Sequence, residues 1–295
     1  MARGGSARSR ANQRVAYLYI APALVVFLAF AGLPFLQTVQ LSFFDWDGIT
    51  QGTPTGLANY RTLLGDPLFA SAFAHAAFLV LVFATVPIVC GLLIAAVFTR
   101  FPIRGATFFR ATIYLPQVMS TVVVGVIWNW MYATDGPINQ LLSAVGLDAV
   151  ARPWLGDFTF ALPAVAFIGA WMLIGLTMVL FVAGVQQLDT QLFDAAQVDG
   201  AGRIREFFTV TLPGLRYEIG VALTMTVVAG LKTFDIVFVL TRGGPGTQTL
   251  VPGLMLYNRA FGDGRVGQAC AIAVILTVLV LGATVLIDRL ASREA

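Results

Sequence analysis

Long apolar runs separated by short polar segments make up most of the chain. Each run is long enough to cross the hydrocarbon core of a bilayer as a helix, which needs about 20 residues. Prolines lie in or at the start of several runs, and they predict kinked, closely packed helices. The pattern therefore predicts an all-α integral membrane protein with six transmembrane helices, at residues 15–36, 70–98, 107–132, 159–184, 216–240 and 266–288.

Composition supports a membrane protein and argues against other classes. Hydrophobic residues make up 58% of the 295 positions, charged residues 11%, and the mean hydropathy is +0.83. Soluble globular domains carry about twice that share of charge. The net charge of +3 does not indicate nucleic-acid binding, because the arginines are scattered over short segments between apolar runs.

The distribution of Lys and Arg predicts the orientation. If the N-terminus is cytoplasmic, 12 of the 18 basic residues lie in inside segments and five in outside segments, with Lys232 inside a span. The positive-inside rule therefore places both termini in the cytoplasm. The predicted segments are a cytoplasmic tail at 1–14, an outer loop at 37–69, a five-helix core at 70–288 with a cytoplasmic loop at 185–215, and a C-terminal tail at 289–295.

The first apolar run, at 15–36, has an alternative interpretation as a cleaved signal peptide. It is too long for an ordinary signal-peptide core and lacks a clear small-x-small cleavage site before the polar loop. A retained first span is favoured.

A polar segment from Asp189 to Pro213, here called the elbow, lies between the fourth and fifth runs. Asp189 is a suitable N-cap, and Leu192, Phe193 and Ala196 share one helix face. Gly200 follows at the position where a left-handed C-terminal residue is favoured. The pattern predicts a short amphipathic helix that ends at this glycine.

A second short amphipathic helix is predicted after Gly200. Ile204, Phe207 and Phe208 lie on its apolar side, opposite Arg203, Arg205 and Glu206, and Leu212-Pro213 closes it. Both helices are too short to cross a bilayer. Their apolar faces must therefore pack against the bundle or against another protein.

The elbow resembles the EAA loop of binding-protein-dependent ABC importer permeases. Asp194-Ala195-Ala196, then Gly200 after three residues, then Val210, Leu212 and Pro213 after nine more match the family pattern E-A-A, G, I-x-L-P in spacing throughout. The chain departs from it at Asp194, where the family has Glu, and at Val210, where it has Ile.

Outer segments resemble the carbohydrate branch of the same family, the maltose and glycerol-phosphate type. These segments are 56–60, 66–69 and the T-x-G-G-P stretch at 241–247, together with Phe234-Asp235, Leu256-Tyr257 and Ala260-Phe261. A phosphate-binding loop is the alternative for 241–247. No Lys-Ser/Thr completes such a loop, so a tight turn is favoured.

The resemblance implies a type I ABC importer permease fold and a division of labour. An external solute-binding protein delivers a sugar or related polyol, a second permease, usually a different chain, completes the pathway, and two ATP-binding cassette subunits bind inside. ATP and Mg then belong to the ATPase partners, and the chain lies in a bacterial or archaeal inner membrane. The residues that would couple to the ATPase are Asp194, Ala195, Ala196, Asp199, Gly200, Arg203, Leu212 and Pro213.

The sequence offers little evidence for an ATP-binding site, a metal site or a disulfide in this chain. Lys232-Thr233 follows Leu231 inside an apolar run, so no ATP-binding P-loop is present in the sequence. His75 is the single histidine and suits packing better than metal binding. Cys90 and Cys270 lie in different runs at different depths, which argues against a disulfide. We predict no catalytic residue, metal or cofactor; an intramembrane enzyme and a secondary transporter or channel remain the alternatives.

Polar and aromatic residues inside the runs are candidates for the substrate pathway, because lipid disfavours polar groups. Lys232 and Asp235 are three residues apart and would share one helix face. They form either a structural pair or a polar path that binds sugar hydroxyls. Bundle packing is the alternative for the remaining candidates, which are Gln117, Trp128, Asn129, Trp130 and Trp171. Nothing in the sequence identifies the sugar.

Overall fold

The computed structural model describes residues 17, 19–100 and 104–292, and these residues are mostly helical. The helices in chain order are α1 (Tyr19–Leu41), α2 (Ala58–Leu64), α3 (Pro67–Arg100), α4 (Ala106–Val118), α5 (Thr121–Met131), α6 (Pro137–Ala144), α7 (Ala161–Val185), α8 (Thr190–Val198), α9 (Arg203–Gly214), α10 (Arg216–Leu231), α11 (Asp235–Leu240), α12 (Pro252–Tyr257) and α13 (Val266–Ser292). A short hairpin, β1 (Phe44–Asp45) with β2 (Thr53–Pro54), precedes α2.

The number of spans agrees with the prediction. The helices α1, α3, α7 and α13 are each long and apolar enough to cross a membrane, and two bent pairs, α4 with α5 and α9 with α10, bring the number to six. The predicted first run ends too early, because its helix continues to Leu41. The tails at 1–14 and 293–295 lie outside the described residues.

The centre of the bundle is the contact between α3 and α7. Gly169 of α7 leaves no room for a side chain, because a Cβ there would lie 2.2 Å from Cζ of Phe83. Thr177 of α7 donates a hydrogen bond of 2.6 Å to the carbonyl of Pro87 in α3. Small residues and an interhelical hydrogen bond are what hold helices together in lipid, where burial alone provides little driving force.

The third span is not the continuous helix predicted for 107–132. Met119 and Ser120 are both extended, with ψ of 145° and 133°, so α4 and α5 meet at 98°. Pro116 lies inside the last turn of α4 and cannot donate a backbone hydrogen bond there. The first half of this span, α4, packs on α7 at Gly175, where a Cβ would lie 2.6 Å from the Tyr114 Cα.

The predicted fifth span, 216–240, is interrupted as well. The crossing that α9 and α10 form ends at Leu231, and α11, which begins at Asp235, is a separate short helix. The helix α11 packs on α5, since a Cβ on Gly125 would lie 2.5 Å from Cγ1 of Val239. The helices that follow the two breaks, α5 and α11, therefore lie side by side.

A compact set of polar contacts fastens the segment between α1 and α3 to the sixth span. Buried Asn59 donates from Nδ2 to the carbonyls of Ser42 and Phe44, at 2.9 and 2.8 Å. Arg259 bridges Asp66, at 2.8 Å, and Asp263, at 3.1 Å. These bonds fix the hairpin and the entrance of α3 against the segment that precedes α13.

The first helix packs loosely by comparison. None of its most apolar window is buried, whereas 56% of the corresponding window in α7 is buried. A π-helical turn at Leu28–Gly32 precedes Pro34, which lacks an amide hydrogen for the preceding turn.

Candidate functional site

The first helix of the elbow begins and ends as the sequence predicts. The Asp189 carboxylate accepts a hydrogen bond of 2.9 Å from the Gln191 amide and caps α8. At the other end, the amides of Gly200 and Ala201 donate to the carbonyls of Gln197 and Ala196. Gly200 has φ of +73°, the left-handed conformation that glycine adopts without a Cβ penalty. The Schellman motif at Gly200 is therefore confirmed.

The second helix of the elbow, α9, contains a π-helical segment at Phe207–Thr211. Pro213 follows two residues later and provides no amide hydrogen to the preceding turn. The helix then turns by 70° into α10 at Leu215, whose side chain is 0% exposed. The elbow is thus continuous with the fifth span.

The base of the elbow packs tightly on the end of α7. A Cβ on Gly184 would lie 2.6 Å from Cδ2 of Leu215, and a Cβ on Gly214 would lie 2.7 Å from Cδ2 of Leu188. Phe193 of α8 is half-buried and packs against a cluster that includes buried Met178 and Phe181. The elbow is therefore in direct contact with α7 and α10.

The far side of the elbow carries apolar side chains that no described residue covers. On α8, Val198 is 87% exposed and Leu192 52%. The predicted apolar face of α8 is therefore divided: Phe193 and Ala196 are half-buried, and Leu192 faces outward. A group of exposed apolar residues of this kind is typical of a surface that binds a partner protein.

The residues of the sequence motif all lie on the elbow. Asp194 and Ala195 are exposed on α8, Asp199 follows the last residue of α8, and Arg203 is the first residue of α9. Leu212 is half-buried and Pro213 exposed, at the turn into α10. The structure thus brings the predicted coupling residues together on one local unit.

The predicted pairing of Lys232 and Asp235 on one helix is wrong. Lys232 follows the last residue of α10 and Asp235 is the first residue of α11, so the two residues do not belong to one helix. In the described part of the chain, ion pairs shorter than 4.0 Å include those of Arg259 but none between Lys232 and Asp235. Both side chains are instead exposed at the break in the fifth span.

The other pathway candidates separate into different environments. Trp128 and Trp171 make an edge contact with centroids 5.5 Å apart, and Trp128 also contacts Phe167. Asn129 is exposed on α5, and its Nδ2 lies 3.5 Å from the carbonyl of Leu240 at the end of α11. Gln117 is half-buried on α4, and Trp130 is 65% exposed.

Sequence reasoning missed an aromatic ladder beside the break in the fifth span. Phe234 and Phe238 stack with centroids 5.3 Å apart, Tyr257 contacts both, and Phe261 contacts Tyr257 at 5.1 Å. The members of each pair, Phe234 with Phe238 and Tyr257 with Phe261, are four residues apart, a spacing that places side chains on one face of a helix. That spacing could have predicted each pair from the sequence. The contact between the two pairs could not have been predicted, because it depends on how α11 and α12 pack together.

Three smaller predictions are confirmed. The segment at 241–247 is a tight turn, in which Oγ1 of Thr249 donates to the carbonyl of Gly244 at 2.9 Å. His75 has a packing role, with Nδ1 2.8 Å from the carbonyl of Leu250. Cys90 and Cys270 are free thiols.

Comparison with known proteins gives a family match over most of the chain. Residues 87–294 match the model of the binding-protein-dependent transport system inner membrane component. A probable ABC transporter permease protein, YurN of Bacillus subtilis, is 36% identical over 277 residues, which cover 92% of this chain and 93% of the relative. The diacetylchitobiose uptake system permease protein NgcF of Streptomyces coelicolor is 33% identical, over 95% of this chain and 84% of its own.

The fold is also that of a solved importer. A bacterial ABC transporter involved in the import of the acidic polysaccharide alginate matches with a TM-score of 0.82 at 21% identity, covering 97% of this chain and 98% of that one. Together, the six spans, the elbow between the fourth and fifth of them and the family match establish that the chain belongs to the binding-protein-dependent transport system inner membrane component family and is a permease subunit of such an importer.

Proposed function

We propose that this permease imports a sugar or related polyol, driven by ATP that separate cassette subunits hydrolyse. The names of relatives support the substrate class, since they include a diacetylchitobiose uptake system and a multiple sugar-binding transport system. The observation that carries the coupling role is the elbow, whose base is packed into the bundle and whose far side is apolar and uncovered. In this proposal the far side binds the ATPase.

The proposed orientation places the elbow and both termini in the cytoplasm. It rests on the excess of arginine in the segments on the elbow side. A second permease, encoded by a different gene, would complete the pathway, and two ATPase subunits would hold ATP and Mg. The mechanism is rigid-body coupling: when the ATPase dimer closes, the elbow moves, and α7 and α10 move with it.

The docking role of the elbow predicts a large effect from a charge at its most exposed apolar position. Val198→Glu should weaken binding of the ATPase subunit by about 10-fold or more, because burying one Val side chain contributes about 1.5 kcal/mol or more. Ile49→Glu is the matched control, since Ile49 is 92% exposed on the outer loop and far from the elbow in sequence. Co-purification and titration of the ATPase subunit measure the difference. Equal binding by the two variants would remove Val198 from the docking surface.

The break in the fifth span is the proposed point where substrate contacts this subunit. Asp235 and Lys232 are exposed there beside the aromatic ladder of Phe234, Phe238, Tyr257 and Phe261. Carboxylates bind sugar hydroxyls, and aromatic rings stack on the apolar faces of pyranose rings. Trp128, Trp171 and Asn129 are weaker candidates, because they contact other residues of the bundle. Gln117, half-buried on α4, is also a weaker candidate.

Removing the carboxylate at this break should reduce uptake. Asp235→Ala is expected to lower the rate of sugar uptake by about 10-fold, the value of one hydrogen bond to a charged group, while assembly and ATP hydrolysis stay intact. Asp45→Ala removes an exposed carboxylate from the outer hairpin and serves as the control. Uptake by Asp235→Ala at the control rate, with normal assembly, would exclude Asp235 from substrate binding.

The function as a whole is tested by reconstitution. The chain is purified with the products of neighbouring permease, ATPase and binding-protein genes and placed in vesicles with ATP inside. Uptake that requires ATP and the binding protein supports the proposal. Uptake by the chain alone along an ion gradient would indicate a secondary transporter, and chemical turnover by the chain alone would indicate an enzyme.

A further inference from the structure

An apolar groove of about 710 Å³ lies where the elbow meets the ends of the spans. One wall comes from the last turns of α3 and α7, and the other from the apolar side of α9. The principal apolar lining residues are Leu93, Val97, Phe98, Ile204, Phe207 and Phe208. The groove has the volume and lining of a ligand site, which typically measures 300–1,000 Å³ and is mostly apolar.

The groove lies at the ends of two spans. The helices α3 and α7 are each long and apolar enough to cross a membrane, and the groove lies at the ends of both, next to the start of α4. The ends of spanning helices lie near the polar surfaces of a bilayer. Lipid is therefore the apolar ligand present there at the highest concentration.

The charged residues of the groove identify the head group. Arg110 and Arg203 line it, and none of the described lining residues is an Asp or Glu. The guanidinium of Arg110 lies over the Phe98 ring, 5.2 Å from its centroid. Its Nε is buried and has no hydrogen-bond acceptor in the part of the chain that the structure describes. The residue as a whole is only half-buried. A phosphate in the groove can therefore accept hydrogen bonds from the terminal N–H groups of the guanidinium, whose fork it matches.

We propose that the groove binds an anionic phospholipid, with an acyl chain along α3 and α9 and the phosphate on Arg110. Basic pockets between membrane helices bind lipid head groups in this way. The walls belong both to the spans and to the elbow, so a bound lipid contacts both parts at once. The position of the elbow then depends on the lipid composition of that leaflet. The proposal does not require that the substrate is a sugar.

Photo-crosslinking from inside the groove tests it. The full chain carries p-benzoylphenylalanine at Phe207 and is reconstituted in vesicles of equal parts phosphatidylglycerol and phosphatidylcholine. Mass spectrometry of the adducts is expected to show phosphatidylglycerol in excess by about 5-fold, the ratio that one favourable arginine contact gives at a membrane surface. The same label at Tyr217, which is 77% exposed and does not line the groove, should show no such excess.

Two variants separate the proposed phosphate contact from general basicity. Arg110→Gln should reduce the excess to parity, and Arg104→Gln, at an exposed arginine outside the groove, should preserve it. If Arg110→Gln does not assemble, the ratio of phosphatidylglycerol to phosphatidylcholine adducts on the chain without the Arg110 substitution still tests the proposal. Equal yields of the two lipids would overturn the proposal. Adducts confined to protein, including the ATPase in the assembled complex, would overturn it as well and assign the groove to a protein partner.

Discussion

Gly200→Val is expected to uncouple ATP hydrolysis from transport, with transport per ATP falling about 10-fold or more. The elbow holds this residue at φ of +73°, and a β-branched residue pays about 1–3 kcal/mol to remain there. A Cβ at Gly200 would meet nothing within 4 Å, so the penalty lies in the backbone alone. The chain would relieve it by changing the angle between α8 and α9. Simultaneous measurement of uptake and phosphate release in reconstituted vesicles gives the ratio.

Two controls make the result specific to backbone conformation. Gly202 lies two residues away, also has open space around its Cβ position, and has φ of −68°, which valine adopts readily. Gly202→Val should therefore transport normally. Gly200→Asn should retain most coupling, because asparagine tolerates the left-handed region. Normal coupling in Gly200→Val, or equal losses in the two valine variants, would show that the angle of the elbow is not set by Gly200.

Gly175→Val is expected to abolish most assembly of the permease in the membrane. A Cβ on Gly175 would lie 2.6 Å from the Ile113 carbonyl oxygen and 2.6 Å from the Tyr114 Cα. Both are backbone atoms of α4, so no side chain can rotate away, and α4 must separate from α7. Overpacking of this kind costs about 1–3 kcal/mol, and more where the backbone must move. Size-exclusion chromatography and the thermal midpoint of the purified chain measure the loss.

Gly282→Val is the matched control for this change. Gly282 lies in the span α13, and a Cβ there would have no neighbour within 4 Å. The control should express and melt like the unsubstituted chain. If both variants behave alike, the close contact of α4 with α7 does not determine assembly.

Local signals in the sequence were sufficient for the elbow. An N-cap, a helical face and a C-terminal glycine act within a few residues of one another, and Asp189 and Gly200 have the predicted roles. The number of spans was likewise predictable, because the length of an apolar run is set by the thickness of the bilayer.

The breaks in the third and fifth spans were not predictable in this way. Hydropathy reports which residues tolerate lipid and carries no information on φ and ψ, so Met119-Ser120 and the residues after Leu231 read as uninterrupted helix. In the structure α5 lies at 98° to α4, and α5 and α11 pack on each other at Gly125. Tertiary contacts of this kind also separated Lys232 from Asp235 and created the aromatic ladder.

Because α1 packs loosely, the constraints on its amino-acid sequence differ from those on the other spans. Within this chain, α7 is held by shape, since more than half of its apolar window is buried against neighbours. The helix α1 has no buried position in its most apolar window, so packing against the other five spans constrains only its length and hydrophobicity. Substitutions between apolar residues should therefore be tolerated at most positions of α1. Among relatives, sequence identity should be higher in the fourth span, α7, than in the first.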